Sequence, residues 1–308
     1  CVLVVIFEPL ILPWKEVNNK WRDIDYWQDN PASAPPEWTN FFSKTKSPVT
    51  QRLTKATREE VDLEGGAKMV TYTLDYKYEA DKAPLDVIFH ISGTGDIPMV
   101  VSIERPDGVK VDLFQRFEQG LANQDIRISA DNDGRNSAFA FVKQYESEEA
   151  LEAYSSSSLR TTDLLFNTAQ QGMARQFKPL KGTYKLIAQA MIMDPANMDI
   201  KDPYVVVTGS VSGLLGTDDS KRDLASGLIA GMKWALLIGF LTSVVSVVIG
   251  VLYGIITAYF GGRVDSVMMF IFQIVNSIPV LPVLIVISAV FKPNIYMLIL
   301  VMVLFFWT

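Results

Sequence analysis

The two residue types that build most catalytic and metal centres are almost missing: among 308 residues there is one cysteine, Cys1, and one histidine, His90. A lone cysteine excludes an internal disulfide, so packing must hold any domain together, and zinc sites built on thiolates lack their ligands. His90 lies in an apolar run, Val87-Ile88-Phe89-His90-Ile91, with no Gly-x-Ser-x-Gly or His-Glu-x-x-His sequence to accompany it, and reads as a structural residue. A Gly-x-x-x-x-Gly-Lys-Ser/Thr loop is absent, which excludes ATP hydrolysis by a P-loop. Gly93-Thr94-Gly95 lacks the third glycine of a dinucleotide fingerprint, so no cofactor is expected and an enzyme is disfavoured.

Charge is scarce in one part of the chain. Of 28 Lys and Arg only Lys221, Arg222, Lys233, Arg263 and Lys292 follow residue 216, and of 34 Asp and Glu only Asp218, Asp219, Asp223 and Asp265 do. The first 216 residues are therefore mildly acidic, which argues against nucleic acid as a partner and against electrostatic docking on anionic lipid.

What the C-terminal third does have is long apolar sequence. Leu224 to Phe260 holds 37 residues with Lys233 as the only formal charge, more than one membrane crossing requires. Small residues recur along it at Gly227, Gly231, Ala235, Gly239 and Ser243, then at Ser246, Gly250, Gly254 and Ala258. Such a row lets a second helix approach closely, so Gly231, Gly239, Gly250 and Gly254 are assigned to helix packing. After the break Tyr259-Phe260-Gly261-Gly262-Arg263, residues 264–291 form a second crossing interrupted by Pro279 and Pro282. Each proline removes a backbone donor and crowds the carbonyl four residues earlier, at Val275 and Ile278, so the helix should bend there. Gln273, Asn276 and Ser277 lie within two turns of that bend. Polar side chains and freed carbonyls at membrane depth need other helices or a wet passage, which makes Gln273, Asn276, Ser277, Pro279 and Pro282 candidates for a translocation path. Residues 294–308 begin a third span, and residues 1–13 (CVLVVIFEPLILP) read as the end of an earlier one, with a signal-peptide core as the competing reading. Trp14, Trp21, Tyr26 and Trp27 would then suit a headgroup zone. On this reading the chain is a piece of a longer protein at both ends, and a lipid-bearing Cys1 is disfavoured by the apolar residues that follow it.

Residues 14–215 have the composition of a water-exposed domain. Strands are expected over Met69–Tyr78, Leu85–Ser92, Pro98–Glu104, Val109–Arg116, Asp125–Ser129, Ala138–Tyr145, Thr183–Met193 and Tyr204–Val211, spacing that favours a sandwich. A helical patch is expected over 146–176, and Asp29–Pro48 reads as a linker or extended wrap. Asp131-Asn132-Asp133-Gly134 has the oxygen ligands of a calcium loop, but the twelfth position is Val142 rather than Glu. A hairpin turning at Asp133-Gly134 explains it better, with calcium at Asp131 and Asp133 left open.

The segment Leu215-Gly216-Thr217-Asp218-Asp219-Ser220-Lys221-Arg222-Asp223 resembles the "LGTDDxGRD" segment of the second permease subunit, DppC/OppC type, of oligopeptide and dipeptide ABC importers. The likeness continues in order through Ile229-Ala230-Gly231, Leu236-Leu237-Ile238-Gly239, Ile249-Gly250-Val251-Leu252-Tyr253-Gly254, Tyr259-Phe260-Gly261-Gly262-Arg263-Val264-Asp265 and Ser277-Ile278-Pro279. Two departures stand out: Phe270 and Gln273 occupy positions where that family often has Arg and Asp, and the domain before Gly216 is longer than the family's usual link. The resemblance implies a polytopic, all-α membrane protein, in which the large domain read above as mainly β and sandwich-like would be an insertion or expanded form on the extracytoplasmic side. It implies spans near 227–260, 264–291 and 294–308, with the loop at Gly261–Arg263 cytoplasmic. It also implies residence in the plasma or inner membrane, in contact with lipid. The implied partners are a second permease subunit, two cytoplasmic ATPase subunits and an extracytoplasmic solute-binding protein, with peptides or similar solutes as cargo. A membrane receptor with an external β domain is the alternative.

Overall fold

The computed structural model describes residues 17, 19–117, 124–147, 149, 151, 154, 158–291 and 294–308. The expected span over residues 1–13 and Trp14 lie outside them. The chain divides into two compact units, one of Asn19–Ala225 and one that takes in Ser226–Thr308.

In the first unit, short helices α1 (Ile24–Trp27) and α2 (Thr39–Phe42) precede strands β1 (Gln51–Leu53), β2 (Thr57–Asp62), β3 (Lys68–Tyr78), β4 (Asp86–Ile91), β5 (Gly93–Thr94), β6 (Pro98–Glu104), β7 (Lys110–Phe117) and β8 (Gln124–Arg127). Helices α3 (Asn132–Val142) and α4 (Thr161–Leu165) follow, then β9 (Gly182–Ile192), β10 (Asp199–Ile200) and β11 (Tyr204–Thr208). The strands form an antiparallel five-stranded sheet in the order β2-β3-β9-β6-β7, a four-stranded sheet in the order β1-β11-β4-β8, and a small β10-β5 pair. This is a sandwich-like arrangement. Val70, Tyr72, Leu74 and Tyr76 of one sheet share a single core with Val87, Phe89, Val205 and Val207 of the other. Period-two alternation explains why those residues point inward while Asp86, Ile88 and His90 point to the opposite face of their strand.

Three sequence expectations fail in this unit. The first is the strand over Ala138–Tyr145 with its hairpin at Asp133-Gly134. Asp131 instead caps helix α3, its Oδ1 accepting from the amides of Asp133 (2.8 Å) and Gly134 (3.4 Å). The buried residues Gly134, Ala138, Phe141 and Val142 follow helical spacing, and Gly134 lies so close to Ile128 that a Cβ there would sit 2.8 Å from its carbonyl oxygen. The helical patch over 146–176 is the second. Among the described residues it is not one continuous helix: residues 149 and 151 are helical, α4 covers five residues, and turns follow. The third concerns Trp27, which is buried rather than at a headgroup zone. It packs edge-on against Trp21 and Tyr26 at 5.7 and 4.8 Å, and its indole N–H donates to the Lys20 carbonyl.

In the second unit, α5 (Leu224–Phe260) has 37 residues, about 55 Å at 1.5 Å per residue. It is long and apolar enough to cross a membrane, and most of its surface is exposed, unlike the core helix of a soluble protein. Helices α6 (Gly262–Ser277) and α7 (Val280–Val290) meet at 72° across a short break, and the pair meets the same criterion only if taken as one span. The twelve-residue α8 (Ile295–Phe306) is apolar but shorter.

Candidate functional site

The segment ahead of α5 is a closed loop. Thr217 pairs with Asp223 in an isolated bridge, and the Leu224 amide donates to the Gly216 carbonyl at 3.0 Å. Inside the loop Asp218 accepts from the backbone N–H of Arg222 (2.8 Å) and from its Nε (2.7 Å), while Nη2 lies 2.7 Å away. The Arg222 guanidinium stands 5.0 Å over the Trp21 ring. Thr217 ties the loop to the residues after α1: its hydroxyl donates to the Pro31 carbonyl (2.6 Å) and accepts from the Ala34 amide (3.0 Å). Gly216, at φ 79°, lies so near the Ala34 carbonyl that no Cβ would fit. Lys221 reaches the Gln28 carbonyl at 3.0 Å. Its pKa is lowered by burial first and by Arg127 second, while Asp86 and Asp29 oppose the shift. Gly216, Thr217, Asp218, Arg222 and Asp223 thus meet in one place. Asp219 lies in the same turn with its carboxylate 3.5 Å from the Ser220 hydroxyl.

The predicted packing glycines divide. A Cβ on Gly250 would come 2.8 Å from the Trp307 carbonyl, so α5 and the end of α8 are in close approach there. Tyr253 reinforces this seam, its ring 4.4 Å from that of Trp307 and its hydroxyl donating to the Met268 carbonyl. Gly231, Gly239 and Gly254 face open space. Beside the seam lies a recess of about 610 Å³ lined by Gly239, Thr242, Ser243, Ser246, Met302 and Phe306, among others. The Thr242 and Ser246 hydroxyls are buried in its wall and make no hydrogen bond among the described residues. Sequence reasoning named Ser246 only as a small packing residue and passed over Thr242, although their spacing of one helical turn was visible.

At the break between α6 and α7, Pro279 is the N-cap of α7 and Ile278 is extended. The Ser277 hydroxyl donates to the Gln273 carbonyl at 2.6 Å, and the Ile278 amide to that of Val275 at 3.2 Å. Pro282 falls in the first turn of α7, where its missing N–H has no intrahelical partner to lose. Ile278, whose carbonyl Pro282 would crowd in a continuous helix, is the extended residue, so both prolines fit the break. Gln273, Asn276, Ser277, Pro279 and Pro282 are all exposed.

Within the sandwich, His90 lies between two carboxylates on the outer face of the four-stranded sheet. Its Nδ1 is 2.5 Å from Asp125 Oδ1, its Nε2 is 3.0 Å from Asp29 Oδ2 but out of hydrogen-bonding alignment, and its ring stacks on Tyr204 at 4.3 Å. Among the described residues no group of three or more His, Cys, Asp or Glu could hold a metal ion. Sequence reasoning also missed Arg105, whose guanidinium is buried and donates to the Leu165 and Asn167 carbonyls at 2.5 and 2.7 Å and to Asp107 at 2.8 Å.

No family model matches the chain. Among curated proteins it is 37% identical over 93 residues to the peptidoglycan transport system permease protein YejE of Agrobacterium fabrum, covering 30% of this chain and 24% of that one. It is 36% identical over 108 residues to the dipeptide transport system permease protein DppC of Lactococcus lactis, covering 35% and 29%. A third match, the oligopeptide transport system permease protein OppC of Haemophilus influenzae, is 37% identical over 83 residues, 27% of each chain. This chain therefore spans about a quarter of the length of the curated relatives it matches. Among solved structures, a galactotriose complex of TmCBM61 covers 56% of this chain at 9% identity with a TM-score of 0.23, too low to carry an argument. Over roughly 30% of its length the chain is similar to permease proteins of peptide ABC transport systems, of the DppC, OppC and YejE kind.

Proposed function

We propose that this chain is part of a transmembrane permease subunit of a binding-protein-dependent ABC importer, which forms the translocation path for peptides or similar solutes. The observation that carries the reading is the ordered run of motifs from Leu215 to Pro279, together with three relatives named as permeases for peptidoglycan, dipeptides and oligopeptides. Peptide chemistry is common to those three names. A sensor with an external β domain explains neither the motif order nor the relatives.

In this reading α5, the bent pair α6–α7 and α8 belong to a polytopic membrane domain over 216–308. Residues 14–215 are an inserted extracytoplasmic domain. The companions are a second permease subunit, two cytoplasmic ATPases that supply the energy, and an extracytoplasmic solute-binding protein. Closure of the ATPases would tilt the helices and carry the opening from one side to the other, an alternating two-state element. The seam at Gly250 supplies a close helix contact, the bend at Pro279 a deformable wall, and the Thr242 and Ser246 hydroxyls polar groups within the apolar bundle. Gln273, Asn276 and Ser277 would face the path or a companion helix.

The test is peptide uptake in cells that lack their own permease and express the full-length protein with its companion subunits. Uptake that depends on ATP and on the solute-binding protein is expected, and Gly250→Leu should abolish it. Correct assembly in the membrane without uptake of any peptide would overturn the reading.

A further inference from the structure

The β-rich unit carries an apolar patch that its core does not use. Trp38, Phe41, Phe42, Leu214 and Leu215 are 56%, 83%, 78%, 72% and 44% exposed. They form one surface although two stretches of chain supply it. The Phe42 ring meets Trp38 and Phe41 edge-on at 6.4 and 5.4 Å, and the Trp38 indole N–H donates to the Leu214 carbonyl at 3.0 Å. Further bonds fix the two stretches to each other: the Glu37 amide to the Gly213 carbonyl (3.0 Å), the Gly213 amide to Glu37 Oε1 (2.9 Å), and the Ser212 amide to the Pro35 carbonyl (3.1 Å). The patch is thus held in place and open to its surroundings.

Its position selects its occupant. Leu215 is followed by the closed loop, which returns Leu224, the first residue of α5, to hydrogen-bonding distance of Gly216. The patch therefore belongs to the stretch of chain that leads directly into the long apolar helix, whose first residue, Leu224, is bonded within the same unit. Clustered exposed aromatic side chains are unfavourable in water and suited to the boundary between lipid headgroups and acyl chains. Because the Trp38 N–H is already bonded internally, the ring can enter that boundary without leaving a polar group unsatisfied. We propose that Trp38, Phe41, Phe42, Leu214 and Leu215 form an interfacial anchor that dips into the lipid surface where α5 enters the membrane. Attachment is through apolar contact rather than charge, in keeping with the acidic balance of the unit. The proposal rests on the membrane reading of α5.

The experiment uses the full chain in vesicles of phosphatidylcholine and phosphatidylglycerol. With Cys1→Ser removing the sole native thiol, single nitroxides are placed by Phe41→Cys, Phe42→Cys, Phe240→Cys on exposed α5, or Glu59→Cys on the exposed strand β2. Collision with oxygen, which partitions into lipid, is compared with collision with a water-soluble nickel chelate. The labels at 41 and 42 should be open to oxygen and shielded from nickel, as at 240, and the label at 59 should show the reverse. Nickel exposure at 41 and 42 equal to that at 59 would overturn the anchor while leaving α5 in the membrane. Shielding from both reagents would show a protein partner on the patch and overturn it equally. Nickel exposure at 240 would overturn the membrane reading itself.

Discussion

Two residues of the loop before α5 have effects that can be separated. Gly216 combines a positive φ with contact against the Ala34 carbonyl, whereas Gly108 has a similar φ of 82° and open space around its missing Cβ. Alanine at 108 meets only the backbone penalty, about 1 kcal/mol, while alanine at 216 adds a steric clash and should cost about 2–3 kcal/mol. Thermal unfolding of the two variants in detergent checks this, and equal shifts would contradict it. At Asp218 burial acts to raise the pKa, but the Arg222 backbone N–H, the Arg222 guanidinium and the Ser220 amide outweigh it and hold the carboxyl below its usual range. A carboxylate depressed in the folded state adds stability above its unfolded value of about 3.9 and loses it as pH falls through the lower folded value. The clamp on Arg222 should therefore stay closed through mild acid and open only in stronger acid. Amide exchange at Arg222 reports this directly: protection should persist down to about pH 4 in the native chain and be weak throughout in Asp218→Asn. Arg105 is a buried charge within the sandwich. Replacing it with Met leaves the Leu165 and Asn167 carbonyls without their donor, which should cost about 3 kcal/mol in unfolding by denaturant.

At the scale of elements, how much was legible depended on whether the information was local. Strands β3, β6 and β9 match their expected ranges to within a residue, because alternating apolar residues and flanking turns specify them locally. Helix α5 was legible for the same reason, and so was the break at Pro279. Helix α3 was misread because Phe139 and Phe141 alternate with small residues, while its true start signal, the Asp131 cap, also looks like a turn. The joining of residues 31–37 to 212–217 depends on hydrogen bonds across about 180 positions, which no local pattern reports. The small-residue row was visible, but its partner was not: only the structure shows Trp307 behind Gly250 and open space at Gly239. That difference is itself a prediction. Gly250→Leu should lower the thermal stability of the chain, whereas Gly239→Leu should leave it unchanged. If the recess beside Thr242 and Ser246 receives a helix of a companion subunit, Gly239→Leu should nevertheless abolish uptake by the assembled transporter. Unchanged uptake in Gly239→Leu would show that the recess has no such role.

For the whole molecule, the main question is the sidedness of a chain whose charges are concentrated in one part and whose apolar runs are concentrated in the other. Charge counting near the short turn cannot decide it, because Arg263 is offset by Asp265 and a long translocated domain largely escapes the positive-inside rule. The proposed importer architecture makes a definite choice: there the β-rich unit is extracytoplasmic and would face outward. On that proposal an uninterrupted α5 of about 55 Å would carry the chain to the opposite side, and Gly261 and Gly262, both at positive φ, would turn it back into α6 there. A pair of single cysteines in the Cys1→Ser background tests this: Glu60→Cys on exposed β2, and Gly262→Cys at the turn. A membrane-impermeant maleimide applied to intact cells should label position 60 at once and position 262 only after the membrane is opened. The reverse order would invert the molecule and rule out an external docking role for its large unit. Equal labelling before opening would mean that no bilayer separates the two sites, which α5 as a spanning helix does not permit.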